Sequence, residues 1–244
     1  MQVASLHKPR ARKNATKKKT APKRWISPRL LYWLLTAVIA FYSVIAAMLV
    51  LLRFVDPPFT AVQVERHLDA SVHHRAYQKH YHFVPLAAIA PNMRRAAIAA
   101  EDTRFFQHHG FDWKQMGQAV EQDLGEGRKR GASTITQQLD RNLFLSTSPN
   151  LIRKAFELSI VPLTELILSK NRILELYLNV IEWGPGIYGC DAAAHRYYGI
   201  PASGLSREQA INLAEVLPAP LHWKPGQKPN YGARIDTRMR QLGW

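Results

Sequence analysis

The chain has 244 residues and a formal net charge of +15. Its single cysteine, Cys190, excludes an internal disulfide framework and a zinc site built from cysteines. Hydrophobic residues make up 47% of the chain and aromatic residues 10%, which excludes a disordered protein and is typical of a folded domain of ordinary size.

The positive charge is concentrated at the N-terminus. Residues 1–29 hold ten basic residues and no acidic residue. A compact nucleic-acid-binding domain instead spreads its basic residues over one folded face. We therefore expect no nucleic-acid partner and interpret the tail as a topology determinant that also contacts anionic lipids.

An apolar segment follows the basic tail. Residues 30–52 form 23 uncharged positions, which as a helix measure about 35 Å and cross a hydrocarbon core of about 30 Å. A cleaved signal peptide is the alternative, but its apolar region has about 7–15 residues and ends in small residues, whereas Arg53 follows here. The positive-inside rule puts the N-terminus in the cytoplasm. The sequence therefore predicts a tail at 1–29, a transmembrane helix at 30–52 and an exported domain at 53–244.

The exported domain is predicted to be mostly helical. The prolines at 57–58 end the membrane helix, and Thr60 begins a capping-box pattern. Apolar residues between 93 and 100 mark one face of a helix that reaches Glu101, and Asp112 is expected to cap the next helix. Residues 121–131 combine three glycines with dense charge, which predicts a flexible loop.

The second half continues in the same way. Ser133 is expected to cap a helix, and Ser148 to cap another that starts with a proline. Residues 173–181 form an amphipathic stripe, followed by a turn-rich segment at 183–189. Ser206 opens a final long helix that ends at Pro218. The only strand expected lies at Tyr81–Val84.

Glu101 is the first candidate for chemistry. It ends an alanine-rich helix, where the negative end of the helix dipole opposes the charge of a carboxylate. A wall formed by Phe105 and Phe106 would desolvate it, and both effects raise a carboxyl pKa. That combination favours a general base. The alternative is a solvated glutamate at a helix end.

Two further segments combine residues suited to phosphate. Ser133 and Thr134 follow a glycine at a helix start, where free N–H groups favour an anion, although an ordinary N-cap has the same pattern. Arg153 and Lys154 lie four and three residues before Glu157, respectively, so both cations reach the carboxylate. A surface ion pair is the alternative to a second active-site acid. The histidines lack the HExxH spacing, so we expect no histidine metal site.

Taken together, these segments resemble the family 51 glycosyltransferases, which polymerise lipid II. The motif EDxxFxxHxG is present as Glu101, Asp102, Phe105, His108 and Gly110, and GxSTxxQQ as Gly131, Ser133, Thr134, Gln137 and Gln138. The motif RKxxE is Arg153, Lys154 and Glu157, and KxRILExYLN runs from Lys170 through Tyr177 to Asn179 before WGxGxxG at 183–189. The LAEVLPAP run at 213–220 resembles the family's last helix. Since the chain stops at Trp244, we expect the monofunctional form without a transpeptidase domain.

The resemblance implies a lysozyme-like helical domain and an inverting transfer that releases undecaprenyl diphosphate. It implies catalytic roles for Glu101, as base, and Glu157, and substrate-binding roles for the other motif residues. These are Asp102, Phe105, His108, Ser133, Thr134, Gln137, Gln138, Arg141, Asn142, Arg153, Lys154, Lys170, Tyr177 and Asn179. It implies no organic cofactor and no protein metal site, but allows a divalent cation, Mg or Mn, on the substrate diphosphate.

The resemblance also implies partners and a location. The expected partners are lipid II, the lipid-linked glycan chain, the bilayer and other cell-wall synthesis or division proteins. The expected location is the bacterial inner membrane, with a single pass and a periplasmic catalytic domain.

Two features depart from the family pattern and keep alternatives open. Where the family has QQxxKN, this chain has Asp140-Arg141, and Pro162, one turn after Glu157, is expected to kink a helix that the family leaves uninterrupted. A non-catalytic scaffold that binds lipid II is therefore one alternative. A muramidase with the same carboxylates is another, although a hydrolase needs no cations for a diphosphate.

Overall fold

The computed structural model describes residues 27–117 and 133–244. The chain divides into two compact units, Met1–Ala40 and Phe41–Trp244. The segment 121–131, predicted to be a flexible loop, lies outside the described residues.

The first helix, α1, is Pro28–Leu52 and contains the apolar segment. Its 25 residues measure about 37 Å along the axis. It is the one helix in the described ranges that is long and apolar enough to cross a membrane. Within the second unit, the end of α1 is held by Arg172, whose Nε donates to the carbonyl of Leu52 at 2.8 Å.

The second unit is built mainly from helices, as the sequence predicts. They are α2 (Ala61–Val72), α3 (Pro91–Glu101), α4 (Ile135–Phe144), α5 (Leu151–Ile167), α6 (Lys170–Val180), α7 (Cys190–Tyr198), α8 (Arg207–Ala214) and α9 (Pro229–Gln241). Short 3₁₀ turns lie at Leu86–Ala88, Phe105–Gln107 and Ala202–Gly204. Residues 113–117 are also helical.

A small sheet lies beside the helices. Its strands are β1 (His80–Tyr81), β2 (Glu182–Gly184) and β3 (Ile187–Tyr188), in the order β1-β3-β2. β1 pairs with β3 in parallel and β2 with β3 antiparallel. The predicted strand at 81–84 was therefore one residue late and too long, and the strands inside the turn-rich segment were not predicted. Gly186 has φ +72° in that turn, where a Cβ would lie 2.4 Å from the carbonyl of Gln78.

The core of the second unit forms where two groups of helices meet. α4 packs against α2, α5 and α6, and α3 packs against α8 and α9. Trp183, Tyr177 and Tyr188 are its largest fully buried side chains. This packing fixes the C-terminal end of α3 and the N-terminal half of α4 beside one cleft.

Three of the predicted helix caps are confirmed. Thr60 accepts from the N–H of Gln63 at 3.3 Å, and Asp112 accepts from the N–H of Gln115 at 2.9 Å. The Ser206 capping box is also present, but the helix it opens ends at Ala214 and is not the last.

Two cap predictions were wrong by one or two residues. Thr134, not Ser133, caps α4, because its hydroxyl accepts from Gln137 N–H and donates to the carbonyl of Gly110 at 2.7 Å. Asn150, not Ser148, caps α5 by accepting from Arg153 N–H at 2.7 Å. In both cases the residue nearer the helix satisfies the exposed N–H groups.

Candidate active site

A cleft of about 700 Å³ opens at the C-terminal end of α3. Glu101 and Asp102 line it on one side, and Ser133 and Gln138 line it where α4 begins. Residues of the C-terminal region also line it. The predicted first and second motifs therefore meet at one cavity.

Glu101 is held in this cleft by its neighbour on α4. Gln138 Nε2 donates to Glu101 Oε2 at 2.7 Å. The other end of the same amide is also fixed, because the hydroxyl of buried Tyr177 donates to Gln138 Oε1 at 3.2 Å. A glutamine locked at both ends sets the direction in which the carboxylate points.

Burial raises the pKa of Glu101, since the low dielectric disfavours its charged form. The hydrogen bond from Gln138 opposes this rise, as do the positive charges of Arg141 and Arg238. The predicted aromatic wall is wrong for Phe106, which is 53% exposed. Phe105 is fully buried, and Lys170 Nζ lies 4.5 Å from its ring centroid.

Asp102 is buried next to Glu101 and makes hydrogen-bonding contacts with His108 in the following loop and with Ile135 at the start of α4. His108 Nε2 lies 2.9 Å from Asp102 Oδ1, and the N–H of Ile135 donates to Asp102 Oδ2 at 3.1 Å. The other ring nitrogen, Nδ1, accepts from Gly110 N–H at 3.1 Å. Asp102 and His108 therefore tie the end of α3 to the start of α4.

Asp102, His108 and Asp112 are the one group in the described ranges whose ligand atoms all lie within 4.8 Å of one another. Both histidine nitrogens are engaged, and Arg104 donates to Asp112 Oδ1 at 2.9 Å. Most of the atoms that could bind a metal ion are therefore already hydrogen-bonded within the protein. We interpret the group as a structural hydrogen-bond network and not as a metal centre.

Glu157 lies on α5 between the two cations that the sequence pairs with it. It is 1% exposed, and Arg153 donates to Oε2 at 2.5 Å while Lys154 pairs with Oε1. Lys154 Nζ also donates to Gln137 Oε1 at 3.1 Å and to Ser133 Oγ at 3.3 Å. Because Ser133 lines the cleft, the ammonium of Lys154 lies at its α4 end.

Three further residues predicted to bind substrate, Asn142, Lys170 and Asn179, instead make hydrogen bonds or ion pairs with other residues of the fold. Asn142 Nδ2 donates to the carbonyl of Gln138 at 2.8 Å, and Lys170 pairs with Glu165 at 2.8 Å. Asn179 is fully buried and bonds both backbone groups of Val84 at 2.9 Å. Of these three, Asn142 alone is bonded to a residue that lines the cleft.

One wall of the cleft was not predicted. The cleft is also lined by Trp223, Tyr231, Arg234 and Arg238, and the last three belong to α9, which was also missed. Arg238 donates to the carbonyl of Ala99 at 2.9 Å and so caps the end of α3. The clustered arginines of residues 234–240 are the sequence signal for this basic wall.

The departures from the family pattern, at Asp140, Arg141 and Pro162, are not among the described residues that line the cleft. Asp140 is fully buried on α4, and the Thr164 hydroxyl donates to its Oδ1 at 2.6 Å while Oδ2 has no partner. Burial, with repulsion from Glu157 and Glu165, raises the Asp140 pKa well above its usual range. α5 runs continuously through Pro162.

Comparison with known proteins gives a consistent result. A family model described as Transglycosylase matches residues 69–242. A relative from Pseudomonas fluorescens, named biosynthetic peptidoglycan transglycosylase, is 40% identical over 220 residues, which cover 88% of this chain and 92% of the relative. A relative of the same name from Shewanella oneidensis is 40% identical over 219 residues, covering 88% and 93%. One from Azoarcus sp. is 46% identical over 163 residues, covering 66% and 71%.

Proposed function

Because the chain belongs to the transglycosylase family and is a peptidoglycan glycosyltransferase, we propose that it polymerises lipid II into glycan strands. The proposed reaction joins disaccharide units through β-1,4 bonds with inversion and releases undecaprenyl diphosphate. The observation that carries the proposal is the Gln138–Glu101 hydrogen bond of 2.7 Å at the edge of a large cleft. The fold of the family is lysozyme-like and mostly helical.

Glu101 acts as the general base in this proposal. Its carboxylate accepts the proton of the acceptor's 4-hydroxyl as that oxygen attacks the anomeric carbon of the growing chain. A base with a raised pKa is a stronger proton acceptor than a solvated glutamate, and correctly placed proton transfer contributes about 10²–10⁴-fold to a rate. Gln138 keeps the carboxylate oriented, because Tyr177 fixes its amide from behind.

Lys154 and Arg153 act on the leaving diphosphate. Negative charge develops there as the glycosidic bond breaks, and cations held in place before the reaction lower the barrier. Glu157 holds these cations, since each of its oxygens is bonded to one of them. Arg141, whose charge lowers the Glu101 pKa, supplies positive charge on the base side.

In this proposal any divalent ion, Mg or Mn, enters the cleft as part of the substrate diphosphate. The described residues of the cleft supply more cations than carboxylates, and both oxygens of Glu157 are taken by Arg153 and Lys154. This donor set does not fit a resident metal ion, which requires several free oxygen ligands.

We further propose an orientation in the bacterial inner membrane. α1 is the candidate anchor, and the ten basic residues before it favour a cytoplasmic N-terminus and a periplasmic catalytic domain. An enzyme anchored in the membrane shares a surface with its lipid-linked donor and acceptor, which raises their effective concentration. Other cell-wall synthesis proteins are the expected protein partners.

Detergent-solubilised full-length protein and labelled lipid II provide the test. Wild type should convert lipid II into long lipid-linked glycan, and Glu101→Gln should be at least about 10²-fold slower because the amide accepts no proton. Glu182→Gln is the matched control, since burial also raises the Glu182 pKa but its side chain pairs with Arg66 away from the cleft. This control should polymerise like wild type.

Three results would contradict the proposal in different ways. Polymerisation by Glu101→Gln at the wild-type rate would remove Glu101 as the base. A wild-type protein that binds lipid II without polymerising it would be a scaffold. A wild-type protein that shortens preformed glycan and makes none would be a muramidase.

A further inference from the structure

Helix α9 makes direct contact with the last turn of α3, which ends at Glu101. The hydroxyl of Tyr231 donates to the carbonyl of Ala100 at 3.3 Å. Arg238 Nη1 donates to the same carbonyl at 3.1 Å and to that of Ala99 at 2.9 Å. Both side chains line the cleft. α9 therefore bonds the backbone directly before the proposed base.

The bonded carbonyls belong to a helix end, where the last four carbonyls lack a partner within the helix. The N–H of Asp102 donates to the first of them, that of Ile98, at 2.9 Å. α9 supplies donors to the next two, those of Ala99 and Ala100. Helix ends fray easily, and donors from another element restrict that motion just before Glu101.

The face of α9 that carries these donors is anchored in the core. Tyr231, Ile235 and Arg238 follow one another at spacings of four and three residues, which places them on one side of the helix. Ile235 and Met239 are fully buried. Tyr231 and Arg238 are half-buried. Both donors therefore project from a helix whose position is fixed by packing.

Glu101 is thus held from two directions. On the α4 side, Gln138 bonds its carboxylate and is itself bonded by Tyr177. On the α9 side, two donors bond the preceding backbone. We propose that Tyr231 and Arg238 are positioning residues, which fix the backbone of the base while Gln138 fixes its carboxylate. This role rests on the proposed role of Glu101 as general base.

Positioning of this kind affects the rate of transfer more than the binding of substrate. A general base must lie within hydrogen-bond reach of the proton that it accepts. A displacement of about 1 Å can cost about 10²-fold in rate. Loss of the bonds from α9 is therefore expected to lower kcat and to leave KM nearly unchanged.

Arg238 has a second effect, because its positive charge lowers the pKa of Glu101. Substitution separates the two effects. Arg238→Lys keeps the charge but replaces a planar fork of donors by a single ammonium group. It should therefore lower kcat and leave the acidic limb of the pH–rate profile in place. Tyr231→Phe removes one hydroxyl and should have the same result.

Polymerisation of labelled lipid II by full-length, detergent-solubilised protein tests this proposal. We expect kcat to be at least about 10-fold lower in Tyr231→Phe and in Arg238→Lys, with KM within about twofold of wild type. The assays are run well below the melting temperature of each variant, so that a loss of stability does not lower the measured rate.

The chain contains a matched control for each variant. The hydroxyl of Tyr197 also donates to a carbonyl, that of Trp183, at 3.3 Å. Arg207 Nη1 donates to the carbonyl of Trp244 at 3.0 Å. Neither donor is among the described residues that line the cleft. Tyr197→Phe and Arg207→Lys should therefore keep the wild-type kcat.

Wild-type kcat in Tyr231→Phe or in Arg238→Lys would overturn the positioning role of that residue. A raised KM with unchanged kcat would make it a substrate-binding residue instead. An equal loss of kcat in the matched control would show a general structural effect and would also overturn the role. Failure of Glu101 as the base has a different signature, because Glu101→Gln would then polymerise at the wild-type rate.

Discussion

Asp140 makes the stability of this protein depend on pH in a direction opposite to that of a paired surface carboxylate. The side chain is fully buried, and its one hydrogen bond comes from Thr164. Burial and the nearby charges of Glu157 and Glu165 raise its pKa well above the ordinary value of 3.8. At a pH between 3.8 and the native pKa of Asp140, this carboxyl is therefore protonated in the folded protein and ionised in the unfolded chain.

The magnitude follows from proton linkage. When the native state binds one more proton than the unfolded state, the free energy of unfolding falls by about 1.4 kcal/mol for each pH unit. This loss begins above pH 3.8 and stops at the native pKa of Asp140. One proton can account for at most about 2.7 kcal/mol between pH 4 and pH 6, which corresponds to at most about 5–10 °C in melting temperature for a domain of this size.

Asp140→Asn removes the titration and keeps an oxygen for Thr164. We expect its melting temperature, relative to wild type, to rise steadily as pH increases from 4 to 6. Thermal unfolding of both proteins in detergent, at matched ionic strength, measures the difference. Asp236→Asn, in a partly exposed ion pair with Arg207, should follow wild type. Parallel pH curves for Asp140→Asn and wild type would refute the reasoning, because Asp140 would then be ionised in the folded state.

Two further predictions concern the loop after α3 and the base. Gly110→Ala should destabilise the protein by about 2–5 kcal/mol, since φ is +83° and the new Cβ would lie 2.2 Å from Val161 Cγ1. Gly199 also has a positive φ, but a Cβ there would meet no atom within 4 Å. Gly199→Ala should therefore lower the free energy of unfolding by only about 1–2 kcal/mol, measured by the same thermal unfolding experiment. Equal losses of stability in the two variants would contradict the explanation by packing. Arg238→Gln should shift the acidic limb of the pH–rate profile to higher pH, because the Arg238 charge lowers the pKa of Glu101 and Glu101, as the proposed base, must be deprotonated to act. An unmoved limb would show that Glu101 does not control it.

The helical class and the two ends of the cleft were predictable from local features. An alanine-rich face ending at Glu101 predicted α3 to its last residue, because amphipathic spacing and a helix end are properties of neighbouring residues. The Arg153–Lys154–Glu157 cluster was predictable for the same reason, since residues three and four apart meet on any helix.

The sequence did not identify the N-cap residue correctly where two adjacent residues are both suited to that position. Ser133 and Thr134 are both suitable N-cap residues. Thr134 caps the helix because its hydroxyl also donates to the carbonyl of Gly110, 24 residues earlier. Helix α9 was missed because its apolar residues are sparse and Gly232 interrupts them. That glycine permits a close approach to Glu215, where a Cβ would lie 2.1 Å from Oε1.

The sequence by itself determined the apolar helix, the mostly helical domain and the close pairing of Arg153 and Lys154 with Glu157, because these depend on residue type and on spacing within a few positions. The tertiary structure alone decided which groups meet. Gln138 reaches Glu101 across 37 residues, Arg238 caps α3 from 139 residues away, and Asp191 contacts His82 across 109 residues. Such contacts depend on how helices pack, and packing is set by the shape of the whole core, which no local pattern contains.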